Sequence, residues 1–218
     1  DTDGEFMGID VEIATEALHR MGYEPEFKLI VWENKNKLLE DGEVDCIWGC
    51  FSMNGREDKY LWAGPYLYSR QMVAVRMDSE IQKLKDLTGK MIAVQETSKA
   101  EEYFLRSDFE GIPDVSLVYC FSNMDEVFAA LRKNYVEAIC GHESALISFI
   151  NTAPDEYRLL DESFLYSALG VAFDIQYDEE FVEELVKTLG DMMNDGTTAA
   201  IVGKYGLDAE KSLGRGND

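Results

Sequence analysis

The segment from Val44 to Arg56 places an arginine and a serine hydroxyl in a turn that directly follows an apolar stretch. The turn contains Gly49, Cys50 and Ser52, and Arg56 closes it. A guanidinium group can bind a carboxylate through two parallel N–H···O bonds, and a hydroxyl group and backbone N–H groups can take the remaining lone pairs. These residues at this spacing predict a carboxylate-binding turn, and hence a receptor for a small molecule rather than an enzyme.

The structural alternative for Arg56 is a surface salt bridge with the neighbouring Glu57 or Asp58. A second candidate is Trp32, which follows a predicted strand end. It either packs on the ligand or belongs to the core, where large aromatic side chains usually lie. Ligands of open α/β sheets bind at the carboxyl ends of strands, so we expect these positions to converge.

A third candidate lies between a predicted strand and a predicted helix, at Ser98 and Lys99. Free N–H groups at a helix N-terminus attract anions, and Ser98 can cap the helix, contact the ligand, or do both. Lys99 either adds a second positive charge to the site or points to solvent. The fourth candidate is the pair His142 and Glu143, which follows another predicted strand.

Alternating strand and helix patterns predict an α/β fold. The predicted helices are residues 9–21, 37–41, 98–106, 123–135, 143–151, 178–196 and 197–204. The predicted strands are residues 27–31, 44–48, 71–76, 91–95, 116–120, 136–140 and 157–160, followed by a return segment at 169–173.

Composition limits the possible partners. The 218 residues contain 20 Lys and Arg against 43 Asp and Glu, a formal net charge of −23. Such a charge repels nucleic-acid phosphates and anionic membranes, so we expect neither as a partner. No apolar run approaches the ~20 residues of a membrane span. The four cysteines lack metal-site spacing, and we expect buried free thiols, no metal and no cofactor.

The turn and the aromatic corner that follows it resemble the signature of type II periplasmic binding proteins, the family 3 extracellular solute-binding proteins that capture polar amino acids. The segments that carry this resemblance are 49–56, Trp62-Ala63-Gly64-Pro65-Tyr66, and the ends of the match at 4–10 and 203–206. The resemblance implies two α/β lobes, joined by two hinge crossings with a ligand cleft between them. We expect lobe I at 1–74 plus 172–218 and lobe II at 75–171, and a first strand ahead of Asp1.

The resemblance also assigns roles to the candidate residues. It implies α-carboxylate capture by Ser52 and Arg56 and packing of Trp32 on the ligand. The chain is similar to the family at Ser98 but departs from it at Thr97 and Lys99. Family members that bind amino acids usually have an aspartate at the position of His142, where it pairs with the ligand ammonium. Either Glu143 replaces this acid, or the ligand lacks an ammonium group.

Three functions follow as alternatives. The first is extracellular or periplasmic capture of an amino acid or related carboxylate by cleft closure, for delivery to an ABC permease. The second is the input domain of a membrane sensor, a histidine kinase or a cyclic-dinucleotide enzyme, since residues 68–71 and 142–143 look similar to sensory versions. The third is a cyclohexadienyl dehydratase-like enzyme. In the first two, we expect a lipid anchor or a transmembrane segment outside this chain.

Overall fold

The computed structural model describes residues 6–106 and 111–214, and the fold is mixed α/β, as predicted. The chain divides into two compact units. Unit 1 contains the described residues up to Ile30, Lys35–Ser69, and the described residues from Ser167 onward. Unit 2 contains Val31–Asn34 and Arg70–Tyr166. The two boundaries between the units, after Ser69 and after Tyr166, lie five residues before the boundaries predicted after residues 74 and 171.

Unit 1 is formed mainly by helices around a short piece of sheet. Its helices are α1 (Ile9–Arg20), α2 (Lys35–Glu40), α6 (Glu179–Asn194), α7 (Thr197–Lys204) and α8 (Ala209–Ser212). Its strands are β1 (Cys46–Ile47), the first part of β2 (Leu61–Arg76) and most of β7 (Leu165–Phe173). Strand β1 pairs antiparallel with β7, with Cys46 opposite Phe173.

The core of unit 1 forms where α1 and α7 pack against α6. Ile13 of α1, Leu185 of α6 and Val202 of α7 are buried there, together with Phe173 at the end of β7. Apolar residues that recur every three or four positions give each helix one buried face, which is the pattern that predicted these helices. This core supports the strand ends beside the predicted carboxylate turn.

Asp195 at the end of α6 links three helices of unit 1. It accepts hydrogen bonds from Arg20 Nη1 at 2.6 Å and from the Thr197 backbone N–H at 2.9 Å. Hydrogen bonds from Thr197 and Arg20 lower the pKa of Asp195 to about 2. A carboxyl group whose pKa is lower in the folded state stabilises the fold above its unfolded pKa and loses this effect as the pH falls toward the folded pKa.

We therefore expect Asp195→Asn to destabilise the protein near neutral pH, with a difference from the wild type that shrinks between about pH 4 and pH 2. Urea unfolding at a series of pH values measures this difference in unfolding free energy. Asp155→Asn removes an exposed carboxylate and serves as the control. A difference between wild type and Asp195→Asn that does not change with pH would contradict this role of Asp195.

Unit 2 is a sheet covered by helices. Its strands are the later part of β2, β3 (Met91–Gln95), β4 (Leu117–Phe121), β5 (Ala138–His142) and β6 (Tyr157–Leu159). Its helices are α3 (Lys99–Leu105), α4 (Met124–Arg132) and α5 (Glu143–Asn151). Strands β5, β3 and β4 are parallel neighbours, while β2 pairs antiparallel with β5 and β6.

Both faces of the central strands β3 and β5 are buried, which explains their nearly continuous apolar runs. Successive residues alternate between two separate cores. In β5, Cys140 lies in one core and Ile139 in the other. In β2, Val73 and Met72 divide in the same way. The sheet thus fixes the register that places Gln71 of β2 opposite His142 of β5.

Three sequence predictions differ from the structure. No strand among the described residues pairs with 27–31, where Leu29 and Val31 are 86% and 54% exposed. Apolar residues alternate in this segment, but alternation produces a strand only where a partner strand is available. Strand β1 covers only two residues of the predicted 44–48, and β2 begins ten residues before the predicted 71.

All four cysteines are free, as predicted, but only Cys140 is buried. Cys46, Cys50 and Cys120 are partly buried. Burial raises the pKa of the thiols of Cys46 and Cys120 to about 12, and it raises the pKa of Cys140 further. These three thiols are therefore protonated at neutral pH and unsuited to nucleophilic chemistry.

Candidate functional site

The predicted carboxylate turn lies in unit 1 and is held by backbone hydrogen bonds to β7. The Met53 N–H donates to the Ala168 carbonyl at 2.8 Å, and the Gly170 N–H donates to the Phe51 carbonyl at 3.0 Å. Ser52, between them, is 2% exposed. The backbone of the turn is thus fixed before any ligand arrives, which lowers the entropy cost of binding.

Arg56 closes the turn, and its side chain folds back over it. Its Nη1 donates to the Ser52 carbonyl at 3.2 Å, and its guanidinium carbon lies 5.3 Å from the centre of the Phe51 ring. The Trp62 indole N–H donates to the Arg56 carbonyl at 3.1 Å. A guanidinium group has five N–H donors in a planar fork, and a carboxylate uses two of them. The turn therefore orients the Arg56 guanidinium group, which can bind a carboxylate.

The Ser52 hydroxyl takes part in the structure of the turn. It donates to Asn54 Oδ1 at 3.1 Å, and the same oxygen accepts the Ala168 N–H at 2.8 Å. A hydroxyl group that donates one bond can still accept others. Ser52 can consequently stabilise the turn and also receive a hydrogen bond from a ligand, but its own proton is directed to Asn54.

Cys50 lies in the left-handed region, with φ 49°, and faces the partly buried carboxylate of Asp10. Asp10 Oδ2 accepts the Cys50 N–H at 3.1 Å and its thiol at 3.3 Å, while Asp10 Oδ1 accepts the Tyr66 hydroxyl at 2.6 Å. Burial raises the pKa of Asp10 and of Tyr66. These contacts give Cys50 a role in shaping the turn. A Cβ atom at Gly49 would meet nothing within 4 Å, so crowding does not require a glycine there.

Trp32, the second candidate, begins a 3-10 turn (Trp32–Asn34) that leads into α2. It is partly buried, so its burial does not distinguish an aromatic side chain that packs on a ligand from one that belongs to the core. Its segment is grouped with unit 2, whereas the turn ending at Arg56 belongs to unit 1.

Ser98 and Lys99, the third candidate, begin α3 in unit 2. Ser98 is a normal N-cap, because its hydroxyl oxygen accepts the Glu101 N–H at 3.2 Å. Lys99 is 6% exposed, and its ammonium lies 2.7 Å from Glu102 Oε2. The alternative that Lys99 points to solvent is thus wrong, because it forms a buried ion pair within its own helix.

The residue before this cap is strained. Thr97 has φ 54°, a left-handed conformation that is costly for a β-branched residue. We expect Thr97→Gly to raise the unfolding free energy by about 1 kcal/mol, because glycine adopts this conformation freely. Thr88→Gly, at φ −55°, is the matched control and should lower the unfolding free energy. A lower melting temperature for Thr97→Gly in calorimetry would show that contacts of the Thr97 side chain stabilise the fold by more than its left-handed backbone conformation destabilises it.

His142 and Glu143, the fourth candidate, each contact a residue of β2. The Gln71 side-chain nitrogen lies 2.9 and 3.1 Å from the two ring nitrogens of His142, and Gln71 is 1% exposed. Arg70 forms a bidentate ion pair with Glu143, in which its Nε donates to Oε2 at 2.9 Å and its Nη2 to Oε1. The charge of Glu143 is thus already compensated, so a ligand ammonium group would have to share this carboxylate with Arg70.

The sequence did not predict the contacts of two residues of these arrangements, Asp10 and Arg70, although Arg70 lies in the segment 68–71 that resembles sensory versions. Their partners lie far along the chain; Asp10, for example, contacts residues 40 and 56 positions away. The local signal for Asp10 was a carboxylate in the first turn of α1. Within 6–106 and 111–214, no group of three or more His, Cys, Asp or Glu residues could hold a metal ion. No helix in these ranges is both long and apolar enough to cross a membrane.

Comparison with known proteins gives a family match. The model of bacterial extracellular solute-binding proteins, family 3, matches residues 1–208. The glutamate-binding protein GluB of Corynebacterium efficiens is 25% identical over 211 residues, which cover 89% of this chain and 69% of that protein. The L-cystine-binding protein TcyA of Bacillus subtilis is 25% identical over 216 residues, covering 97% of this chain and 76% of that protein.

Solved structures show the same similarity. The crystal structure of Tv2483 bound to L-arginine has a TM-score of 0.82 at 27% identity, covering 94% of this chain and 83% of that chain. A substrate-binding protein of an ABC uptake transporter from Streptococcus pneumoniae, with bound histidine, has a TM-score of 0.85 at 20% identity. This match covers 96% of this chain and 87% of that chain, and at 20% identity it shows only that the two proteins share a fold.

Proposed function

Because this chain belongs to family 3 of the bacterial extracellular solute-binding proteins, we propose that it captures an amino acid and holds its α-carboxylate on the turn that ends at Arg56. The family confirms the resemblance seen in the sequence. Proteins similar to this chain bind glutamate, cystine and arginine, so an amino-acid ligand has the strongest support.

The observation that carries the proposal is the conformation of Arg56. Its guanidinium group lies over the Phe51 ring and donates to the Ser52 carbonyl, on a turn whose backbone is bonded to β7. A preorganised cation of this kind binds a carboxylate without a large entropy cost. Ligand contacts by Trp32 and Ser98 stay predictions.

The ammonium end of the ligand is less defined. Contacts of the ligand with His142, Glu143 and Lys99 also stay predictions. Arg70 already pairs with Glu143, so an ammonium group bound at Glu143 would share that carboxylate with Arg70. Deaminated analogues of the ligand therefore test this end of the site separately from the carboxylate end.

We further propose that the chain acts outside the cytoplasmic membrane, delivers its ligand to an ABC-type importer and leaves the ligand chemically unchanged. The family and its relatives are binding proteins, which supports this reading. A sensory input domain is the second candidate. The residues similar to sensory versions are those that pair here as Arg70 with Glu143 and Gln71 with His142. Expression with the flanking segments of the gene, followed by uptake and signalling assays, distinguishes the two.

A thermal-shift screen of the purified chain against the common amino acids, cystine and small carboxylates tests the proposal. A ligand that binds only the folded state raises the melting temperature by mass action. We expect at least one amino acid to produce such a shift. A well-folded protein that responds to none of them would contradict the proposed function.

A further inference from the structure

The partly buried carboxylate of Asp10 is bonded to the turn that ends at Arg56, and both belong to unit 1. Asp10 Oδ2 accepts the N–H of Cys50 at 3.1 Å, and Oδ1 accepts the Tyr66 hydroxyl at 2.6 Å. Ser52 follows two residues after Cys50, and its carbonyl oxygen lies 3.2 Å from Arg56 Nη1. Because consecutive Cα atoms are about 3.8 Å apart, a carboxylate held by Arg56 is on the order of 10 Å from Asp10.

The charged groups on the helices around Asp10 are paired with one another. Helix α1, which carries Asp10, packs against α6 and α7. Lys204 of α7 pairs with Glu12 at 2.5 Å, and Arg20, at the other end of α1, pairs with Asp195 at 2.6 Å. Within the ranges that the structure describes, no Lys or Arg forms an ion pair with Asp10. The charge of Asp10 is therefore sensitive to any further charge that is brought to the turn.

Asp10 is the group of this cluster that changes charge between acid and neutral pH. Burial raises the pKa of Asp10 above its usual range, and it raises the pKa of the Tyr66 hydroxyl well above its own. The Cys50 thiol, the other titratable group in contact with Asp10, donates to Oδ2 at 3.3 Å. A protonated carboxyl group still accepts through its carbonyl oxygen, and the Tyr66 oxygen can accept its O–H. Protonation thus removes a charge and preserves the turn.

We infer that Asp10 links ligand binding to pH, in that a carboxylate on the turn and a proton on Asp10 each favour the binding of the other. A bound carboxylate adds negative charge near Asp10 and neutralises the Arg56 guanidinium group, and both effects favour protonation of Asp10. By reciprocity, a proton on Asp10 strengthens ligand binding by the same factor. The inference rests on the proposed function and adds a pH response to it.

The direction of the pH dependence follows from this coupling. The affinity is highest where Asp10 is neutral, falls as the pH rises through the range in which Asp10 ionises, and is constant above that range. Two charges on the order of 10 Å apart, at an effective dielectric constant between those of protein and water, change the affinity by about two- to tenfold. Because the pKa of Asp10 is raised, this change occurs above the range in which aspartates usually titrate.

Titration calorimetry of the whole chain between about pH 4 and pH 8 tests the inference. The probe is the amino acid that raises the melting temperature most in the thermal-shift screen. We expect the wild type to gain about two- to tenfold in affinity toward acid pH, relative to Asp10→Asn, which has no carboxyl to titrate at this position. Glu12→Gln removes a carboxylate from the same helix turn and should retain the pH dependence of the wild type. Titration of the ligand itself affects all three proteins alike.

Proton uptake is a second readout. The binding enthalpy of the wild type, measured in buffers with different ionisation enthalpies, gives the number of protons taken up on binding. We expect uptake by the wild type and by Glu12→Gln, and none by Asp10→Asn.

The outcomes separate the inference from the proposed function. If an amino acid binds and the affinities of the wild type and Asp10→Asn change equally with pH, the proposed function stands and the inference is overturned. If no amino acid binds, both fail. Should Asp10→Asn not fold, the proton uptake of the wild type decides, because zero uptake or proton release across this pH range overturns the inference.

Discussion

Arg56→Ala should weaken binding of the amino-acid ligand by about 2–5 kcal/mol, because the variant leaves the bound carboxylate without its charged partner. The loss should appear for every ligand with an α-carboxylate, whatever its side chain. The backbone of the turn should persist, since the bonds of Met53 and Phe51 to β7 do not involve the arginine side chain. Titration calorimetry of the wild type and the variant measures the difference directly.

Two variants serve as controls for this prediction. Lys59→Ala removes an exposed positive charge three residues away and should leave the affinity within about 0.5 kcal/mol of the wild type. Arg56→Lys keeps the charge but loses the planar fork, so its affinity should fall between those of the wild type and Arg56→Ala. Equal affinities of Arg56→Ala and the wild type would remove Arg56 from the site.

Asp10→Ala should lower the unfolding free energy by about 2–3 kcal/mol and weaken ligand binding as well. The substitution leaves the Tyr66 hydroxyl and the Cys50 N–H without their acceptor in a buried place. Because Cys50 has a left-handed backbone conformation that the bond to Asp10 supports, its loss should loosen the turn before Ser52. Urea unfolding measures the first effect and calorimetric titration the second.

Asp10→Asn removes the negative charge of Asp10 but keeps one acceptor oxygen, so it separates the effect of the charge from that of the hydrogen bonds. The amide oxygen keeps one acceptor, and the substitution removes a carboxylate whose pKa is raised by burial, so its cost should be smaller than that of alanine. An unfolding free energy of Asp10→Ala within about 0.5 kcal/mol of the wild type would contradict the role given to Asp10.

Much of unit 2 could be predicted from the sequence because its signals are local. Strand β3 has the predicted bounds, since a short apolar run between turn residues indicates a buried parallel strand. Helices α3 and α4 begin after Ser98 and Asn123, whose side chains cap them as their residue types suggest. The strand predicted at 27–31 requires a partner strand that is distant in sequence, and this prediction was wrong.

The sequence signals for the candidate site residues are local as well. Arg56 and Ser52 stand out because they share one turn after one strand. The contacts of Asp10 and Arg70 could not be predicted, because each of these residues pairs with a partner on another segment.

The most direct test of the account compares a ligand with its decarboxylated amine by titration calorimetry on the wild-type chain. The best amino acid from the thermal-shift screen and the amine that lacks only its α-carboxylate are titrated under the same conditions. We expect tight binding of the amino acid and a loss of about 2–5 kcal/mol of binding free energy, or of all measurable binding, for the amine. Equal affinity for the two compounds would show that the turn at Arg56 does not bind the α-carboxylate.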